Sequence, residues 1–116
     1  MASRPAVSLT SLGRAEVANA IYRYVFRAAI TRADARVAWE NFERDRVTGV
    51  WSEVELPVSL WDACIHIAHR YGPILGVRTL DSLHVACAME LKADKFWTFD
   101  ERQQKLAEAV GLDVKP

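Results

Sequence analysis

Apolar and polar positions along the chain change period several times, and these changes divide it into short strands and longer helices. Ala6, Val7, Ser8 and Leu9 read as a short strand, after which Thr10 or Ser11 caps a helix running to about Ala29. Thr31 and Asp34 have the spacing of a capping box for a second helix, expected to end near Val47, Thr48 and Gly49. Trp51 to Leu56 alternates weakly, as an edge strand does, and Pro57 stops it. Ser59 is placed to cap a third helix with Trp61, Cys64, Ile65 and Ala68 inward, ended by Gly72 and Pro73. Thr79 then caps a fourth helix to about Lys92, and Phe96 to Phe99 is a short buried strand. A fifth helix spans Glu101 to Val110, and Leu112 to Val114 is a last strand. Strands alternating with helices predict an α/β fold with a short parallel sheet.

Composition narrows the class. A chain of 116 residues, 51% hydrophobic and 26% charged, is expected to make one domain with one core. No apolar run reaches the roughly 18 residues of a membrane span, and the first residues lack the pattern of a signal peptide. Two cysteines, Cys64 and Cys87, lie in apolar helical stretches and are expected to be buried free thiols of a cytoplasmic protein. Net charge is zero but uneven. Residues 1–50 hold eight Arg against five acids, and residues 51–116 hold seven bases against ten acids. That excludes a broad basic footprint and leaves room for local arginine sites facing an acidic one.

The segment from Thr79 to Leu91 carries the strongest chemical signal. It is apolar or small on nearly every side from Leu83 to Met89, which marks a buried helix, and Asp81 sits in its first turn. A carboxylate there needs a hydrogen-bond donor, a cation or a metal, unless it merely decorates the turn. Asp100 follows the strand at its carboxyl end, where open α/β sheets bind ligands, and equally suits the N-cap of the next helix. Thr98 is placed to support it with a hydroxyl, or simply to fill a half-buried strand position. Glu16 lies on a polar stripe of the first helix with Asn19, Arg23 and Arg27, which a solvated face would also produce. Convergent carboxylates are what a hard divalent cation requires.

Weaker constellations fall away. Cys64, His66 and His69 divide between two helix faces and do not form a zinc pattern. His84 reads as a hydrogen-bonded core residue, and Trp51 and Trp61 as either core or partner surface.

The segments RTLDSLH at 78–84, ADKFWTFD at 93–100 and the Leu106 to Leu112 stretch, preceded by Val7 to Val17, resemble the PIN domain. The closest likeness is to toxin ribonucleases of the VapC type. This resemblance implies a three-layer α/β/α fold and RNA phosphodiester hydrolysis dependent on Mg²⁺ or Mn²⁺. Glu16, Asp81 and Asp100 match acidic positions of the family, and Thr98 matches its supporting hydroxyl. Arg14 and Arg23, near Glu16, are candidates for holding a phosphate. The resemblance also implies an antitoxin protein partner and a homodimer, without a membrane. The family's opening strand, with its first Asp, has no counterpart in the sequence, so an N-terminally incomplete domain is expected. The alternative is a catalytically inactive remnant that binds RNA or protein. Two expectations follow: Asp81 and Asp100 share a cleft, and Asp81→Asn relieves carboxylate repulsion and stabilises the protein without metal.

Overall fold

The computed structural model describes residues 7–98 and 100–115. Among them are five helices and four short strands, all paired in parallel, so the mixed α/β class is as expected. The chain divides into two compact units, Met1–Glu55 and Leu56–Pro116.

The first unit comprises β1 (Val7–Thr10), α1 (Ser11–Phe26), α2 (Arg32–Val47) and β2 (Trp51–Val54). Strands β1 and β2 pair in register from Val7 opposite Trp51 to Thr10 opposite Val54. Ala6, expected in the first strand, lies outside the described residues. The Thr10 hydroxyl accepts the Gly13 amide and starts α1, which stops at Phe26, three residues short of expectation. Ala28 has φ of 59°, a left-handed conformation that no α-helix continues through. The Thr31 capping box then forms in full, each side chain accepting the other residue's amide at 3.0 Å. The Thr31 amide, and then the Thr31 hydroxyl, hold the Asp34 carboxyl below the usual carboxylate range.

An aromatic cluster packs this unit. Trp51 is buried, stacks on Phe42 with ring centroids 4.4 Å apart, and donates its indole N–H to the Phe42 carbonyl at 2.7 Å. Trp39 also meets Phe42, with ring centroids 5.4 Å apart, and buried Trp51 is core and not partner surface.

The second unit comprises α3 (Leu60–Leu75), α4 (Thr79–Glu90), β3 (Phe96–Trp97), α5 (Glu101–Ala109) and β4 (Val114–Lys115). Its core gathers Leu60 and Ile67 of α3, Val85, Ala86 and Cys87 of α4, and Leu106 and Ala107 of α5. Helix α4 is buried along most of its length, as its sequence demands. His84 on α4 is half-buried, whereas Leu80 and Leu91 are exposed. Cys64 and Cys87 are free, and burial pushes both thiols up, away from the reactive thiolate.

Helix α3 differs from expectation in phase and length. Its inward stripe is Leu60, Ala63, Cys64, Ile67, Tyr71 and Leu75, while Trp61 and Ile65 are 61% and 57% exposed. Leu60 begins the clean three-and-four spacing, whereas the bulkier Trp61 starts a stripe that has no partner further along. The helix also runs through Pro73 to a left-handed Gly76, whose amide bonds the Gly72 carbonyl at 2.9 Å. Continuing to Leu75 adds a side chain to the core, which outweighs the amide that Pro73 lacks. Pro73→Ala is expected to raise stability by about 1–2 kcal/mol, the helix-interior penalty less the added unfolded-state entropy. A urea midpoint no higher than that of the parent would show that the proline sits there without strain.

Strand β3 is shorter than expected, and its last expected residue, Phe99, lies outside the described residues. Trp97 is 63% exposed between half-buried Phe96 and buried Thr98, because successive strand side chains point to opposite faces and one face meets the core. Thr79 does not cap α4; Arg78 occupies that position, with no side-chain bond to the helix amides. Ser59 is the N-cap residue of α3, as expected, but makes no side-chain capping bond; its hydroxyl instead donates to Glu90 at 2.6 Å. No helix among the described residues is long and apolar enough to cross a membrane.

Candidate active site

Asp81 is the third residue of α4, and its carboxylate is almost fully buried, with 2% of the residue exposed. The apolar sides of α4 pull the helix inward, and this carboxylate goes with it. Arg78 compensates the charge. Its Nε donates to Asp81 Oδ2 at 3.0 Å and its Nη2 to Oδ1 at 3.3 Å, the two-pronged geometry that suits a guanidinium to a carboxylate. The same Nη2 reaches Asp100 Oδ2 at 3.2 Å. Two carboxylates, one buried and one half-exposed, therefore turn an oxygen each toward a single nitrogen.

Asp100 serves two purposes at once. It is the N-cap of α5, with Oδ1 accepting the Gln103 amide at 3.0 Å, while Oδ2 faces Arg78. The Gln103 amide, then the Arg102 amide and Arg78, hold its carboxyl below the usual range. Thr98 fixes the backbone just before it. The Thr98 hydroxyl accepts the Asp100 amide at 3.0 Å, and its own amide donates to the Lys115 carbonyl of β4 at 3.0 Å. Hydrogen bonding to Asp81, with the fields of both carboxylates, keeps the guanidinium still more firmly protonated than an ordinary arginine.

Glu16 is carried by the first unit, half-buried on α1. Arg14 is already engaged: its Nε donates to Glu43 at 2.8 Å and its guanidinium lies over Trp39 at 5.5 Å. Arg23 is exposed in the last turn of α1. His66 and His69 are exposed.

The sequence matches the PIN domain family over residues 2–109. The chain belongs to the PIN domain family. No curated protein matches it. PIN domains are generally nucleases that use divalent metals, so the coarse assignment is to a nuclease.

The donor set suits such an ion. No group of three His, Cys, Asp or Glu residues gathers among the described residues. Mg²⁺, however, takes one or two carboxylates and completes its shell with water and substrate phosphates. Asp81 and Asp100 offer hard oxygen atoms to one point that a cation already occupies. Sequence reasoning missed that cation. In the sequence Arg78 stands out only as part of a motif, although an arginine three residues before a first-turn aspartate has the reach to pair with it.

Proposed function

We propose that this PIN domain is a metal-dependent ribonuclease of the VapC toxin type, with Asp81 and Asp100 holding Mg²⁺ or Mn²⁺. The observation that carries this reading is the convergence of Asp81 and Asp100 on one guanidinium nitrogen. An ion bound there would stabilise charge building on the scissile phosphate and make a water molecule easier to ionise. Asp81 supplies a fixed, dry carboxylate, Asp100 supplies Oδ2 while Oδ1 stays on its helix, and Thr98 holds Asp100 in register.

RNA as substrate is supported by the first unit. Tyr22, Val25 and Phe26 of α1 line an open groove with Arg32 and Arg36 of α2, and Arg23 lies on the same helix as the two aromatics. Exposed rings beside cations suit stacking on bases and pairing with phosphates of a single strand. Since Arg14 is held by Glu43, Arg23 is the better candidate for a phosphate contact. A protein partner such as an antitoxin, or a second copy, would find apolar surface at Trp61 and Ile65 on α3.

The Arg78 bridge itself favours a second reading, an inactive domain in which the arginine is a permanent partner and RNA or protein is bound but not cut. Incubating the purified chain with single-stranded RNA in Mn²⁺, Mg²⁺ or EDTA separates the two. Cleavage that requires the ion supports the nuclease, and RNA retained but intact in all three conditions establishes the binding module.

A further inference from the structure

Arg78 has the reach and exposure to leave its two carboxylates. Its side chain is 54% exposed, although it neutralises a carboxylate that is 3% exposed, so the guanidinium can swing into solvent while Asp81 stays buried. A divalent ion needs the same oxygens at about 2.1 Å, closer than any guanidinium approaches, and carries twice the charge. Both cannot hold the pair together.

We propose that Arg78 is the site's resident counter-cation, that a divalent ion displaces it, and that the freed guanidinium then holds the phosphodiester of the substrate. This rests on the metal-dependent reading above. Charge gives the order of events. Asp81, Asp100 and Arg78 sum to −1, which repels a phosphate, and adding a dication makes the cluster +1, which attracts one. The planar fork now closed on Asp81 has the geometry that recognises phosphate oxygens. Metal therefore binds first and RNA second, with one arginine serving both states.

Mn²⁺ titration followed by electron paramagnetic resonance tests the displacement. If Arg78 occupies the site about nine-tenths of the time, removing it tightens apparent Mn²⁺ binding by about tenfold. Arg78→Gln should show that gain. Arg102→Gln, which removes the same charge from the first turn of α5, should show little of it. Equal or weaker binding in Arg78→Gln, or an equal gain in Arg102→Gln, overturns displacement while leaving the metal-dependent reading intact. Absence of Mn²⁺ binding in both the parent and Arg78→Gln overturns both.

An arm that needs no variant protein guards against misfolding. The Arg78 Nε–H resonance of the parent should move with Mg²⁺ along a saturable curve, and a resonance that stays fixed while Mg²⁺ binds elsewhere refutes the idea. For the phosphate step, affinity for a short RNA is measured in Ca²⁺, with the RNA recovered intact. The parent should bind more tightly with the ion than in EDTA, and Arg78→Gln should lose about tenfold in Ca²⁺ alone. Undiminished RNA affinity in that variant removes the phosphate role.

Discussion

Asp81→Asn is expected to lower ion-dependent RNA cleavage by at least about 100-fold while the chain remains folded. Groups that merely orient metal ligands already cost about 10–100-fold when removed, and Asp81 would itself be a ligand. Asparagine keeps the shape and one carbonyl oxygen but gives up the charge that holds a dication. The effect on stability reverses the expectation drawn from sequence. With no partner in view, two carboxylates in one cleft imply repulsion that asparagine would relieve. The structure instead places Arg78 between them, at 3.0 Å from Asp81 and 3.2 Å from Asp100. Loss of the charged two-pronged contact should therefore cost about 1–3 kcal/mol in the ion-free protein. The cost stays below that of an orphaned buried charge because Arg78 can turn to water. Cleavage in Mn²⁺ and urea midpoints in EDTA check the two halves separately. Unchanged cleavage removes Asp81 from the site, and an unfolded variant makes it a structural residue first.

How far the sequence carried this site depends on the kind of signal each residue left. The burial of Asp81 was legible because α4 is apolar or small on nearly every side from Leu83 to Met89, and such a helix is drawn into the core along most of its length. Its pairing with Asp100 was legible only as a resemblance, since no periodicity links residues 19 apart on different elements. Arg78 went unread because its role depends on the non-helical turn that puts it at the N-cap, within reach of Asp81 and of Asp100 on α5 at once. The order of elements followed from turn residues and capping boxes, which act over three or four positions. The phase of α3 did not, because Trp61 and Ile65 dominate its hydrophobicity while Leu60 and Ile67 do the packing. Pro73 reads as a stop for a similar reason: local propensity says break, and the core contact of Leu75 says continue.

Asp100 allows capping and catalysis to be taken apart, because its two oxygens do different things. Oδ1 accepts the Gln103 amide and Oδ2 faces Arg78. Asparagine is as good an N-cap as aspartate, whereas alanine accepts nothing there. Asp100→Asn is thus expected to keep neutral-pH stability close to the parent's and to lose ion-dependent cleavage by about 100-fold or more. Asp100→Ala should lose cleavage equally and, in addition, about 1 kcal/mol of stability. Acid adds an independent check. The folded-state pKa of Asp100 lies below its unfolded value of about 3.9, so its stabilising contribution is present above that pH and disappears as pH falls through the folded value. Asparagine does not titrate, and the stability of Asp100→Asn should decline less steeply than the parent's below about pH 4. Chemical unfolding from pH 7 to pH 2, alongside cleavage in Mn²⁺, measures both. If Asp100→Asn cleaves RNA as the parent does, Asp100 is a helix cap alone, and the ion must be held without it.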